Sequence, residues 1–228
     1  MAIADINLLR EVPIFGDLTE EALLTISKLT VRRSFPRSTL IVLEESRAET
    51  LYIIESGSVK ITRLNEEGRE VILAMLGSSE FFGEMALLDG QGRSANVMAL
   101  EDTALVTLSR RDFLDVLNQY PSISIQLLRE MTSRLRKSDQ QIKSLSLSDA
   151  EHRIGIALHR ISEDVGIFRK GEVIIAQLPF QQDIANMAGT SRETVSRMLK
   201  NLNKKGLLKR EGRKLIIYDY AAFTRLFG

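Results

Sequence analysis

The chain has 228 residues, 44 % of them hydrophobic, with 31 Lys and Arg against 30 Asp and Glu, the make-up of a soluble globular protein long enough for two buried cores. It has no cysteine, which excludes disulfides, Fe–S clusters, thiolate-held metal or haem, and thiol redox sensing. The charge is uneven: residues 1–120 hold 12 cations against 19 acids, residues 121–180 hold 9 against 7, and residues 181–228 hold 10 against 4, so the C-terminal quarter suits a polyanion.

No basic segment followed by an apolar core opens the chain, and eighteen apolar residues never run together, so a cytoplasmic protein that spans no membrane is expected. Residues 4–29 read as short helices, one opened by Asp17-Leu18-Thr19-Glu20. From Val31 to Leu108 short β-branched runs alternate with turn residues, at Leu40–Leu43, Thr50–Ile54, Val59–Arg63, Val71–Met75, Ala95–Leu100 and Thr103–Leu108, which predicts an antiparallel sandwich or roll. Ser109 caps a helix to about Gln119, and Pro121 punctuates it.

A long helix follows from Ser122 to about Leu147. Its residues Leu128, Met131, Leu135, Ser138, Ile142 and Leu145 are spaced 3, 4, 3, 4 and 3, a heptad seam whose simplest partner is the same helix in a second chain. Ser138 is either a register-setting polar residue in that seam or, with Asp139, a contact to a ligand. Leu147-Ser148-Asp149 reads as a hinge, with Asp149 capping a helix over Ala150–Glu163. His152 and His159 in that helix have no further metal ligands near them in sequence and read as ordinary helix residues. A hairpin at Lys170–Ile175, two helices and a ribbon around Glu211-Gly212-Arg213 complete the chain.

Gln181–Met187, Ala188-Gly189-Thr190 and Ser191–Asn203 have the layout helix, tight turn, helix. At about 100° per residue and with Arg192 at 0°, Ser196, Lys200, Glu193 and Arg197 fall between about 40° and 140°, whereas Val195, Met198, Leu199 and Leu202 fall between about 240° and 340°. One arc is built to be buried. The other carries groups suited to base edges, arginine for guanine O6 and N7 and carboxylate for cytosine N4. Glu193 has a second reading, because Thr190-x-x-Glu193 is a capping box.

The run Gln182-Asp183-Ile184-Ala185 to Gly189-Thr190-Ser191-Arg192-Glu193-Thr194-Val195-Ser196-Arg197 closely resembles the helix-turn-helix of the cyclic-AMP receptor protein and fumarate-nitrate regulator superfamily. The resemblance implies that Arg192, Glu193 and Arg197 read a palindrome with TGTGA-like arms, that Gln182, Ser191 and Thr194 hold phosphates, and that Gly212 and Arg213 form a wing near the backbone. Lys200 shares the polar arc.

Phe81-Phe82-Gly83-Glu84-Met85-Ala86-Leu87-Leu88-Asp89-Gly90-Gln91-Gly92-Arg93-Ser94-Ala95 lies between two strand runs. Gly83 lets a backbone N–H approach an anion, Arg93 offers a two-pronged phosphate grip, Ser94 adds a hydroxyl, and Glu84 makes sense as an acceptor from a sugar hydroxyl. The stretch resembles the phosphate cassette of cyclic-nucleotide domains. That implies Gly83, Arg93, Ser94 and Ala95 at the cyclic phosphate, Glu84 at the ribose 2′-hydroxyl, Met85 and Ala86 within the cassette, Arg134 supporting the ribose and Glu84, and Ile61 and Leu73 packing around the nucleotide. Members of the family that sense cyclic AMP carry hydroxyl side chains at the positions of Ser138 and Asp139. Ser138 fits that pattern and Asp139 departs from it, since its carboxylate suits adenine N6 or the guanine edge equally. Cyclic AMP is the expected effector. Cyclic GMP, cyclic di-GMP and effector-free DNA binding are the alternatives.

The expected fold is α+β: an N-terminal antiparallel β-roll over residues 1–120, a dimerisation helix over 121–147, and a C-terminal winged helix-turn-helix over 148–228. The expected protein is a homodimeric transcription activator or repressor that binds double-stranded DNA and RNA polymerase. A catalytic role lacks a nucleophile with a base, a metal cluster or paired carboxylates. A regulatory nucleotide-binding subunit leaves the helix-turn-helix unexplained.

Overall fold

The computed structural model describes residues 4–68 and 70–228, and of residues 144–147 only the helical backbone. The chain divides into two compact units, residues up to 63 with 76–137, and residues 64–75 with 138–228.

The N-terminal elements are α1 (Ile6–Glu11), α2 (Glu20–Lys28), β1 (Val31–Phe35), β2 (Leu40–Val42), β3 (Thr50–Ser56), β4 (Val59–Leu64), β5 (Glu70–Leu76), β6 (Phe81–Phe82), α3 (Glu84–Asp89), β7 (Asn96–Ala99), β8 (Thr103–Ser109), α4 (Arg110–Gln119) and α5 (Pro121–Leu147). Their strands form two four-stranded sheets, ordered β1-β8-β3-β6 and β2-β7-β4-β5. The ladders of β8 with β1 and β3, of β3 with β6, and of β7 with β2 and β4 are all antiparallel. Phe15, Leu23, Ile26, Leu51, Ile53, Phe81, Leu87, Val106, Phe113 and Ile123 share one core, which joins the first helices, a sheet face, α3, α4 and the start of α5. Thr19 caps α2 by accepting from the Ala22 N–H at 3.3 Å, and Ser109 caps α4 by accepting from the Asp112 N–H at 3.1 Å.

Three details differ from the sequence reading. The cassette contains a helix, α3, flanked by left-handed Gly83 and Gly90. Pro121 opens α5, where its missing N–H costs nothing because a first-turn donor has no intrahelical partner. Met131 of the seam also packs against the roll core. Leu128, Leu135 and Ile142 are 66 %, 63 % and 63 % exposed, and Ile125, three residues earlier, is 55 % exposed and lengthens the apolar stripe. The side chains of Leu145 and of Leu147 lie outside the described residues.

The second unit contains α6 (Ala150–Val165), β9 (Ile167–Arg169), β10 (Glu172–Ile175), α7 (Gln181–Ala188), α8 (Arg192–Lys204), β11 (Leu208–Glu211), β12 (Lys214–Ile217) and α9 (Tyr220–Phe227), its strands ordered β11-β12-β10-β9. Asp149 caps α6 by accepting from the His152 N–H at 2.8 Å, directly after the bend at Ser148. Ile154, Leu158 and Ile161 are buried on α6, which packs against α7, α8 and α9. His159 stacks on Tyr220 at 5.4 Å and His152 lies 5.7 Å from Phe227, so both histidine rings pack against α9. The hairpin of β11 and β12 is the wing. The short helix α9 went unread in the sequence because its burial depends on α6.

Candidate ligand site and nucleic-acid interface

Gly83, which precedes α3, has φ +88°, a conformation costly for any residue with a side chain. Its fit is also tight: a Cβ there would sit 2.5 Å from Arg93 Nη1 and 3.2 Å from the Thr50 carbonyl. Arg93 is only 5 % exposed. It donates from Nη1 to the Gly83 carbonyl at 2.8 Å and from Nη2 to the Thr50 carbonyl at 2.7 Å, and its guanidinium lies 5.6 Å from the Tyr52 ring centre. Burial pushes the guanidinium below its ordinary pKa, and Tyr52 and Glu84 pull the other way. Two carbonyls use only part of a five-donor fork, so Arg93 is a buried cation with capacity for an anion.

The neighbouring Glu84 is 3 % exposed. Its Oε1 accepts from Arg134 Nη1 at 3.0 Å, and its buried Oε2 has no hydrogen-bond partner. Arg134 reaches it from α5, is anchored by donating to the Phe81 carbonyl at 2.8 Å, and lies 4.6 Å over the Phe81 ring. An unmet buried carboxylate oxygen is costly unless a donor arrives, and a sugar hydroxyl is such a donor. One ligand carrying both an anion and a hydroxyl suits Arg93 and Glu84 together, which is the chemistry of a ribose phosphate. Ser94 is exposed, its hydroxyl 3.9 Å from Met85 Sδ, and Met85 is half exposed, whereas Ala86 and Ala95 are buried. Ile61 is half-buried on β4. Leu73 on β5 belongs to the second unit, where its carbonyl accepts from Arg160. Ser138 and Asp139 also belong to the second unit and are exposed.

In the second unit α8 buries Val195, Met198, Leu199 and Leu202 and exposes Arg192, Glu193, Arg197 and Lys200. These four exposed residues line one shallow concavity with Gln181 and Ser196. The cap of α8 corrects the sequence reading. Ser191, not Thr190, is the N-cap, its hydroxyl accepting from the Thr194 N–H at 3.2 Å, so Glu193 is the second helical residue and closes no capping box. The Glu193 carboxylate is held below its usual range by its own backbone N–H and by the Ser191 hydroxyl, which keeps it a hydrogen-bond acceptor. Gln182 is exposed on α7 and donates to Asn186 Oδ1 at 2.9 Å. The wing's Arg213 donates from Nε to the Leu178 carbonyl at 3.2 Å.

Two arginines make contacts beyond the sequence reading, because all but one of their partners lie far away along the chain. Arg197 Nε sits 3.8 Å from Glu151 Oε1 on α6, so this arginine has an acid beside it. Arg153 of α6 donates to three carbonyls, Ala188 at 2.8 Å, Gly189 at 3.1 Å and Ser148 at 2.8 Å. It thereby ties the helix-turn-helix turn, where Gly189 has φ +56°, to the bend that follows α5. Arg153→Ala is expected to cost about 2 kcal/mol, because charge-assisted bonds to half-buried carbonyls are worth more than neutral ones. Urea unfolding of the full chain tests this, and an unchanged midpoint would show that water replaces the guanidinium at no cost.

Residues 32–120 match the family model of a cyclic nucleotide-binding domain, and residues 152–226 match that of a Crp-like helix-turn-helix domain. The chain is 35 % identical over 197 residues to the cyclic AMP receptor protein of Thermus thermophilus, an overlap of 86 % of this chain and 88 % of that one. The chain belongs to the CRP/FNR family of transcription regulators. It is also 29 % identical over 219 residues to the CRP-like cAMP-activated global transcriptional regulator of Mycobacterium tuberculosis, covering 96 % of this chain and 98 % of that one. Among solved structures it is similar to the c-di-GMP responsive global regulator CLP of Xanthomonas campestris, with 26 % identity, a TM-score of 0.73 and coverage of 88 % and 99 %. This chain is thus a CRP-like, cyclic-nucleotide-binding transcription regulator with a β-roll, a long helix and a winged helix-turn-helix. Its family binds DNA and typically dimerises. Among the described residues no helix is long and apolar enough to cross a membrane.

Proposed function

We propose that this regulator is a cytoplasmic homodimer that binds cyclic AMP in the β-roll and then binds a palindrome with TGTGA-like arms. The observation that carries the ligand half is the pairing of opposite needs in one place: a buried arginine with donors to spare and a buried glutamate oxygen with no donor. Gly83, Arg93, Ser94 and Ala95 hold the phosphate, Glu84 takes the ribose hydroxyl, and Arg134 fixes Glu84. Ser138 and Asp139 meet the base, and Ile61 and Leu73 pack around the nucleotide. The names of the two cAMP-related relatives support cyclic AMP. Asp139, together with the effector named for the Xanthomonas regulator, supports cyclic di-GMP as the second reading.

The three functional parts are the roll over residues 1–120, the dimer helix over 121–147 and the DNA-binding part over 148–228. Arg192, Glu193 and Arg197 read base edges, with Lys200 beside them, and Gln182, Ser191, Thr194 and Arg213 contact the backbone. Ligand binding acts through α5 and the bend at Ser148 on the recognition helices, and RNA polymerase is the downstream partner. A nearly complete switch needs a differential affinity of about 5.5 kcal/mol between the two states, shared by two sites per dimer.

Calorimetry with cyclic AMP, cyclic GMP and cyclic di-GMP tests the effector. Cyclic AMP is expected to bind tightest and to raise DNA affinity at fixed salt, and a cyclic di-GMP preference would assign Asp139 to a guanine edge. Arg192→Ala is expected to cost about 1–3 kcal/mol on a matched site and to relax discrimination at one base pair, whereas a phosphate contact would lower affinity equally on all sequences. Site selection by the two proteins distinguishes these outcomes.

A further inference from the structure

The residue at the N-cap of α7 is Phe180. A phenyl ring cannot accept from the helix N–H groups, so the position forfeits the stabilisation that Ser, Thr, Asp or Asn supplies there. The Asp183 carboxylate takes the Phe180 N–H at 3.1 Å, half of a reciprocal cap. Burial does not account for the ring either, since Phe180 is 57 % exposed. A position that breaks a local rule and stays more than half exposed points to a role outside folding.

What the ring touches is the wing. The Arg213 guanidinium carbon lies 4.9 Å from the Phe180 ring centre. The same arginine is held along its length: its carbonyl accepts from the Leu178 N–H at 2.7 Å, and its Nε donates back to the Leu178 carbonyl at 3.2 Å. Among the described residues its Nη groups make no other hydrogen bond. Phe180, Gln182, Arg192, Arg210 and Arg213 open onto one concavity, so the supported guanidinium shares a face with a proposed base-reading arginine. A planar fork fixed at Nε and over one face loses little freedom when its remaining donors meet a phosphate.

We propose that Phe180 is a positioning residue for DNA binding, its ring holding the Arg213 guanidinium in the orientation in which it meets a backbone phosphate. The proposal rests on the DNA-binding reading of this face. It needs neither the TGTGA-like site nor the cyclic AMP assignment, because phosphate contacts are independent of sequence.

The test is equilibrium binding of the full chain to a mixed-sequence duplex over a series of salt concentrations, with thermal unfolding recorded for every variant. Phe180→Thr restores a capping side chain, so it is expected to unfold no earlier than wild type and yet to bind about two- to fivefold more weakly, the size of an exposed cation–π contact. Phe180→Leu keeps bulk without the π face and is expected to lose the same amount, whereas Phe180→Tyr is expected to bind like wild type. In an Arg213→Ala background none of the three is expected to change binding further. Wild-type affinity in both Phe180→Thr and Phe180→Leu overturns the proposal, as does an undiminished loss in the Arg213→Ala background. A wild-type chain that binds no duplex at any salt overturns the DNA-binding reading and this proposal together.

Discussion

Leu135→Asp is expected to leave the regulator folded but monomeric and to lower its affinity for a two-armed palindrome by about 10²- to 10⁴-fold. In the single chain Leu128, Leu135 and Ile142 project from α5 at 66 %, 63 % and 63 % exposure, so the roll core loses nothing when Leu135 changes. What changes is the seam. Burying one such leucine in an interface is worth about 1.5–3 kcal/mol, and two-fold symmetry doubles every contact and brings two new carboxylates into a desolvated, like-charged interface. Without the dimer the second half-site loses the effective concentration that linkage provides, which sets the expected factor. Sedimentation velocity and a gel shift on the same preparation check both parts. A dimer of unchanged stability would remove α5 from the interface, and a monomer with wild-type affinity would remove the palindrome.

Arg93→Ala is expected to abolish nucleotide-induced stabilisation and to lower the melting temperature by several degrees even without ligand. The second effect follows from the two carbonyls that the guanidinium serves, those of Gly83 and Thr50. Leaving a buried acceptor unmet costs about 1–3 kcal/mol, and in a protein of this size each kcal/mol moves the midpoint by about 2–4 °C. The first effect follows from charge. A phosphate beside Arg93 would replace the hydration that burial has removed, and a ligand that binds only the folded chain stabilises it. At a hundredfold excess over Kd the wild type gains about 2.7 kcal/mol from ligand, a gain that thermal shift should not find in the variant. Arg93→Lys separates the contributions: it keeps the charge but not the fork that spans two carbonyls, so intermediate behaviour is expected. A variant that keeps the full ligand shift would place the phosphate elsewhere.

Much of this molecule is legible in the sequence wherever the governing interaction is local. The buried and exposed arcs of α8 follow from period alone, because Val195, Met198, Leu199 and Leu202 must share a side of any helix drawn through them. The caps at Ser109 and Asp149 follow likewise, since the hydroxyl or carboxylate and the N–H it accepts from lie three residues apart. Even locally the reading fails where two adjacent residues compete. Thr190 and Ser191 both offer hydroxyls, and only the folded backbone shows that Ser191 stands at the N-cap, so the cap moves one residue on and Glu193 leaves the box.

Tertiary structure alone decides what depends on partners remote in sequence. Arg93 and Glu84 can be picked out as candidate ligand residues from their types, but that Glu84 keeps one oxygen paired to Arg134, 50 residues away, and the other unmet is a fact of packing. The same holds for Arg153, which reaches 35 and 36 residues along the chain to the helix-turn-helix turn. It holds also for Phe180, whose place beside Arg213 depends on the wing folding back. Short-range patterns are written in the order of residues because their geometry is fixed by the backbone period. Long-range ones arise only after burial has chosen which polar groups lose water and must find one another.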